Sequence, residues 1–486
     1  MHRTGSLVLT FLLILGSTPH QPIHGAEGAT RRPNMVVIIA DDLGYADVGV
    51  HGGTDIPTPN IDSIARDGVR FTSGYVSGPY CSPTRAGLLT GRYQQRFGHE
   101  FNPPGPSATN QFGFGLPLQE TTLADRLKAA GYITGLVGKW HLGGSEPYSP
   151  VNRGFTDFFG FLGAAHSYTN LDKGSQNPIR RGLQPVEEKE FLTDAFTREA
   201  LSFIERHQRE PFYLQLAYNA VHSPLDSHPK YYDRFNHIAD DKRRRFAALY
   251  ANFDDGVGQV FGKLRELGLQ EDTVVFFFSD NGGPTNDNTS RNDPLRGFKA
   301  QTWEGGIHVP FFVRWTGRLP AGTTYAEPVI QLDIHATALA LAGVEEKPEW
   351  KLDGVDLLPF LSGAKRGVPH EALYWRFGSQ LAVRSGDWKL VKARDGESSM
   401  GQISSGTAST DGAQLFNLAE DLSERLNLAQ QNPKKTEELA GLWNRWNSEL
   451  PEPAWKPGGT RGATDSPRPT ANRSARDPST TKTAAK

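Results

Sequence analysis

Three short polar groups stand where apolar runs stop or start: Asp41-Asp42, Cys81-Ser82-Pro83-Thr84-Arg85 and Asp280-Asn281. Cys81 is the only cysteine in 486 residues. Proline suits the first turn of a helix, where its missing N–H is not needed, so Pro83 puts Cys81 at or just before a helix N-terminus. Backbone N–H groups and the positive end of the helix dipole favour negative charge there. Arg85, one turn further in, reaches back to the same spot. One reactive side chain is thereby set in an anion-binding environment. A lone cysteine is also commonly a small buried apolar residue. A phosphatase thiolate of the Cys-x5-Arg kind is excluded, because the sixth residue after Cys81 is Gly87.

The acidic groups obey the same logic. Asn34–Ala40 is a continuous apolar run, as expected of a buried parallel strand, and it ends in Asp41-Asp42. Ligands collect at the carboxyl ends of such strands. Adjacent carboxylates there either cap a turn or hold a cation. Thr273–Phe278 is a second such run, and Ser279-Asp280-Asn281-Gly282-Gly283 mirrors the first ending. A strand over Tyr132–Gly138 leads into Lys139-Trp140-His141, where Lys139 and His141 alternate and so project the same way in an extended segment. Phe212–Tyr218 is a further strand, leading into Asn219-Ala220-Val221-His222.

The elements that must position these groups are legible as an α/β pattern. Thr58–Gly68, Thr122–Gly131, Thr193–His207 and Asp333–Ala342 read as helices, and 244–268 is amphipathic. In it Phe246, Leu249, Tyr250, Phe253, Val257, Val260, Phe261 and Leu264 share one face. Val309–Arg314 reads as another strand. Residues 99–118 read as a surface loop, and 142–190 as an irregular insertion of the kind that shapes a pocket. The fold class is therefore α/β, a large mixed, mostly parallel sheet flanked by helices. From about residue 370 the pattern changes to short strands (372–377, 381–384, 388–393, 414–418) and a closing helix through Leu439, Leu442, Trp443 and Trp446. They predict a smaller C-terminal antiparallel sheet plus helix.

The expected domain boundaries are a signal peptide over 1–26, a catalytic α/β domain over 33–365, a C-terminal α+β subdomain over 366–450 and a disordered tail over 455–486. Arg3 and the apolar run Leu7–Leu15 carry the export reading, with cleavage near Gly25-Ala26. That run is too short to span a bilayer, and no cysteine directly follows it to take a lipid, so a periplasmic or secreted protein with no stable membrane anchor is expected. A net charge of −2 gives no basic field for nucleic acid. The basic clusters near 178–181 and 243–245 read as solvated surface.

Cys81-Ser82-Pro83-Thr84-Arg85, continued by Ala86-Gly87-Leu88-Leu89-Thr90-Gly91-Arg92, resembles the signature of the type I, formylglycine-dependent sulfatases of the alkaline-phosphatase superfamily. Asp41-Asp42, Gly138-Lys139-Trp140-His141-Leu142-Gly143, His222 and the Leu295–Lys299 segment match further family motifs, and the likeness runs over roughly 33–450. It implies that Cys81 is oxidised to formylglycine by a maturation enzyme, and that the hydrated aldehyde is the nucleophile. It also implies a metal held by Asp41, Asp42, Asp280, Asn281 and the Cys81-derived oxygen. Oxygen ligands mean a hard cation, calcium (Ca2+) before magnesium (Mg2+). Arg85 and Lys139 would stabilise the hydrate. Lys299 and His222 would bind the sulfate, either of them protonating the departing oxygen, and His141 would take a proton to release sulfate. The family usually has arginine where this chain has His308, a departure expected to alter loop packing.

The implied activity is hydrolysis of sulfate monoesters, with a carbohydrate sulfate such as a galactose or N-acetylgalactosamine 6-sulfate as substrate. His99, Glu100, His166 and Asn219 are the expected sugar contacts. The enzyme alternative is a formylglycine-dependent phosphonate monoester or phosphodiester hydrolase. The alternative of another class is a non-catalytic binder of sulfated glycans.

Overall fold

The computed structural model describes residues 1–2, 32–104, 114–394, 396 and 406–457. The chain divides into two units, Met1–Arg31 and Arg32–Lys486, and the elements described below all belong to the second. The expected signal peptide, save its first two residues, lies outside the described residues, as does the tail from 458 and loop segment 105–113.

The centre is a ten-stranded sheet. Its strands run, edge to edge, Thr323–Tyr325, Val69–Phe71, Phe311–Trp315, Thr273–Ser279, Asn34–Ala40, Phe212–Ala217, Ile133–Lys139, Asp157–Phe161, Arg180–Arg181 and Gln184–Pro185. The five from Thr273–Ser279 to Asp157–Phe161 are mutually parallel. Phe311–Trp315 pairs antiparallel with Thr273–Ser279, so the expected Val309–Arg314 strand exists, shifted toward its C-terminus and reversed in direction. The connection, residues 280–310, carries only the four-residue helices Thr285–Asn288 and Glu304–Ile307 and makes no long helical crossover, so the sheet is mixed.

Both faces of the central strands are covered, which is why Asn34–Ala40 and Thr273–Ser279 are buried at every position and not at alternate ones. In Asn34–Ala40, Val36 and Ile38 pack under the helices Leu192–Arg206 and Asp241–Glu266. Met35, Val37 and Ile39 pack under Cys81–Thr90, Leu123–Ala129 and Asp333–Leu341. All eight apolar residues expected on one face of the Asp241–Glu266 helix are buried.

The second sheet has four antiparallel strands, Leu373–Phe377, Gln380–Ser385, Trp388–Lys392 and Gln414–Asn417, closed by the helix Pro433–Ser448. It shares a core with the large sheet's periphery. Trp375, Leu390, Trp443 and Trp446 pack with Tyr75, Trp303, Ile307 and Leu332.

Two surface readings change. Arg243 is buried, because Asp47 and Asp55 accept from its guanidinium at 2.8 and 3.0 Å. A burst of arginines in sequence does not reveal that one of them faces inward. Trp455, expected to open the tail, is buried against His99 and Phe114. Its indole N–H donates to the carbonyls of Phe101 and Asn102, both at 3.1 Å. Among the described residues no helix is long and apolar enough to cross a membrane.

Candidate active site

Register places the acidic groups together. Ala40 is paired with Ser279, so the chain leaves two neighbouring parallel strands at the same level, at Asp41-Asp42 and at Asp280-Asn281. The third strand end joins them. The Asp41 N–H donates to the Ala220 carbonyl at 2.9 Å and Val221 N–H returns the bond to Asp41 at 2.8 Å. Asp42 has φ 65° and His141 has φ 61°. Such left-handed non-glycine residues cost of order 1–3 kcal/mol each, and here both turn a polar side chain toward the centre.

Cys81 is the first residue of the helix Cys81–Thr90, every residue of which is buried. The helix seats deeply because Gly87 has no side chain: a Cβ there would come within 2.6 Å of Ser77 Oγ. Gly91 ends it in the left-handed conformation, φ 67°, with its N–H on the Gly87 carbonyl at 2.8 Å. Cys81 Sγ lies 3.6 Å from Asp41 Oδ1.

Three cations balance three carboxylates. Lys139 Nζ is 2.6 Å from Asp41 Oδ2. Arg85 donates from Nε and Nη2 to Asp280 Oδ2, at 3.0 and 2.8 Å, and from Nη1 to the Lys139 carbonyl at 3.2 Å. Lys299 Nζ meets Asp42 Oδ1 and Oδ2 at 2.6 and 2.8 Å. His222 Nε2 is 3.5 Å from Asp42 Oδ2. Breaking one member of such a buried set leaves an uncompensated charge and is strongly destabilising.

Burial and charge set the protonation of the group. Burial pushes Asp41 up, but Lys139, His222, Arg85 and Lys299 outweigh it and hold the carboxyl well below its ordinary range. Asp280 is pushed up to about 6 by burial and by the charge of Asp41. Burial, reinforced by Asp280, pushes the Cys81 thiol up. Burial lowers His141 far below its ordinary value, helped by Lys139 and Arg85. Among the described residues neither ring nitrogen of His141 has a hydrogen-bond partner, and the burial that lowers it disfavours the charged imidazolium.

Asp41, Asp42, Cys81 and His222 offer ligand atoms that all lie within 4.8 Å of one another. Asn281 donates from Nδ2 to Asp42 Oδ1 at 2.7 Å, while its Oδ1 is buried with no partner among the described residues. An orphaned amide oxygen beside two carboxylates fits a hard cation. The residues expected from sequence to do the chemistry fall in one cluster: Asp41, Asp42, Asp280, Asn281 and Cys81, with Arg85, Lys139, His141, His222 and Lys299 around them.

The expected sugar contacts fare differently. His99 is fully buried, with Nε2 2.6 Å from Ser82 Oγ, which in turn reaches the His141 carbonyl at 2.6 Å. Glu100 is buried in an ion pair with Arg376 at 2.8 Å and accepts from the Gly378 N–H at 2.7 Å. Neither has a face for a sugar. Both belong to the packing between the site helix and the C-terminal sheet, a contact that no local pattern encodes. His166 and Asn219 do stand beside the His222 loop, joined by a 3.4 Å bond from Asn219 Nδ2 to the His166 carbonyl. His308 is buried with Nδ1 2.9 Å from Glu304 Oε2 and its ring 4.8 Å from Tyr75.

A mixed α/β sheet whose strand ends gather carboxylates, lysines and a helix-terminal cysteine defines a hydrolase of the alkaline-phosphatase superfamily, built to grip an anionic ester. The chain belongs to the sulfatase family, whose profile matches residues 33–344, and it is a sulfuric ester hydrolase. It is 34% identical to N-acetylgalactosamine-6-sulfatase of Canis lupus familiaris, over 75% of this chain and 72% of that protein. It is 31% identical to arylsulfatase J of Mus musculus, over 88% of this chain and 77% of that one. Among solved structures, Ps i-CgsB in complex with k-i-k-neocarrahexaose superposes with a TM-score of 0.79 at 32% identity, covering 89% of this chain and 96% of that one. The phosphonate monoester hydrolase of Agrobacterium radiobacter, at 18% identity and TM-score 0.58, shares the fold alone.

Proposed function

We propose that this enzyme desulfates a carbohydrate, using formylglycine made from Cys81 and a calcium ion bound by Asp41, Asp42, Asp280 and Asn281. One observation carries the reading: Cys81 Sγ sits 3.6 Å from Asp41 Oδ1 inside a buried ring of three carboxylates and three cations. The likeness to N-acetylgalactosamine-6-sulfatase and to a carrageenan-oligosaccharide complex supports a sulfated saccharide as substrate. An exported location, a separate maturation enzyme and the division into 33–365 and 366–450 belong to the same proposal.

Sulfate monoesters resist attack because anionic oxygens shield the sulfur. Bound calcium would draw charge from those oxygens and sharpen the attacking one. Once oxidised and hydrated, Cys81 presents two hydroxyls on one carbon; the oxygen of one attacks sulfur, losing its proton, as the S–O bond to the alcohol breaks, which leaves the sulfate on that carbon. Arg85 and Lys139 orient that carbon through their contacts with Asp280 and Asp41. Lys299 and His222 hold the sulfate oxygens and supply the proton for the departing alcohol. His141, whose charged form burial disfavours, takes the proton of the second hydroxyl, so the C–O bond to the sulfate breaks, sulfate is expelled and the aldehyde returns. A serine could not finish this cycle, having no second hydroxyl.

Co-production with a maturation enzyme, then mass analysis of the Cys81 peptide, should reveal the aldehyde. Cys81→Ala should then have no turnover in a desulfation screen over defined sulfated saccharides. Undiminished activity in that variant would remove the mechanism, and faster turnover of an aryl phosphonate than an aryl sulfate would reassign the substrate.

A further inference from the structure

Residues 142–190, read from sequence as an irregular insertion, supply the sheet strands Asp157–Phe161, Arg180–Arg181 and Gln184–Pro185 with long excursions around them before the helix at Leu192, and the proposed chemistry uses none of them. One side chain from these excursions reaches the catalytic loop. Tyr168 is fully buried and stacked on Phe191, with ring centroids 5.5 Å apart. Its hydroxyl donates to the Asn219 carbonyl at 2.6 Å, with the His222 carbonyl sharing the proton at 3.0 Å. Those carbonyls bracket a tight turn closed by the His222 N–H on the Asn219 carbonyl at 2.9 Å. The Tyr168 N–H donates to Asp226 Oδ2 at 2.9 Å, and Ser167 Oγ donates to the same oxygen at 2.7 Å. The excursion is thus pinned to the loop on both sides of His222.

The imidazole has little freedom apart from that backbone. His222 Nδ1 is 2.5 Å from the Ser223 carbonyl, which fixes the ring to its own turn. Nε2 is left facing the site, 3.5 Å from Asp42 Oδ2. Lys299, the other side chain able to give a proton, is already held on both oxygens of Asp42 at 2.6 and 2.8 Å.

We propose that Tyr168 is a positioning residue: its hydroxyl sets the Asn219–His222 turn so that His222 meets the departing oxygen of the ester. This rests on His222 acting as the leaving-group acid. Protonation matters most for poor leaving groups, so the readout is the ratio of kcat/KM for 4-nitrophenyl sulfate to that for phenyl sulfate. A general acid contributes roughly 100-fold or more. His222→Ala should raise the ratio about 100-fold, and Tyr168→Phe, which keeps the ring and removes only the hydroxyl, about tenfold. The double variant should show no more than His222→Ala alone. Formylglycine occupancy and a thermal melt are measured on each sample. Should Tyr168→Phe fail to fold, Asp226→Asn, which loosens the same clamp from outside, should raise the ratio in its place. Equal losses on both esters in these variants, with His222→Ala still selective, would overturn the role of Tyr168 and leave the acid in place. An unchanged ratio in His222→Ala would overturn both.

Discussion

Lys299 Nζ lies 2.6 and 2.8 Å from the two carboxylate oxygens of Asp42, although 257 positions separate the residues in sequence. The contact brings the loop after Leu295 onto the end of the first sheet strand. It fixes a cation beside Asp42, where the proposed mechanism docks the sulfate. Lys299→Met should therefore lower kcat/KM for an aryl sulfate by about 100- to 1000-fold. Formylglycine occupancy should stay normal. A loss under threefold would show that the ammonium does not meet the sulfate.

Metal removal should act on both activity and stability. Asn281 Oδ1 is buried beside the Asp42 carboxylate without a partner among the described residues, so a bound cation would satisfy it. Dialysis against a calcium chelator should abolish turnover and lower the melting temperature. Calcium at about 100 times its Kd should restore about 2.7 kcal/mol, with magnesium restoring less. A chelated enzyme of unchanged activity and melting point would argue against the site.

A second buried ionic group lies at the joint with the C-terminal sheet. Lys389 Nζ is 2.8 Å from both Glu304 Oε1 and Glu424 Oε1. Burial pushes Glu424 up from 4.5 to about 7, with Lys389 opposing and Glu304 adding to the rise. A carboxyl raised on folding stabilises fully below its unfolded value and loses that contribution as pH climbs through its folded value. Unfolding midpoints should thus fall between pH 4.5 and about 7 by more in the native protein than in Glu424→Gln. Parallel pH curves for the two would refute the assignment.

Trp455 ties the end of the described chain to the site helix. Its ring meets His99 at 4.8 Å between centroids, and His99 lies on Ser82, next to Cys81. Trp455→Ala should cost about 3–5 kcal/mol, read as a lower denaturant midpoint at unchanged slope. A shift below about 0.5 kcal/mol would place the tryptophan outside the cooperative core.

Much of this protein is determined by short-range pattern. Asn34–Ala40 and Thr273–Ser279 announce themselves as strands buried on both faces, because neither alternates. Parallel strands of that kind deliver their C-terminal neighbours to one edge, so Asp41-Asp42 and Asp280-Asn281 are readable as one site. Pro83 marks the helix start, and with it the setting of Cys81. Only the tertiary structure decides which charge answers which. Arg85 could have faced any carboxylate within reach, and strand order gives it Asp280, 195 residues away. His99 and Glu100 carry the composition of a binding loop, yet the C-terminal sheet closes over them. Tyr168 and Trp455 look like ordinary aromatics of an irregular insertion and a polar tail. Local sequence specifies backbone preference and the burial of a face. The partner of a buried polar atom is chosen by whichever distant segment the packed chain brings beside it.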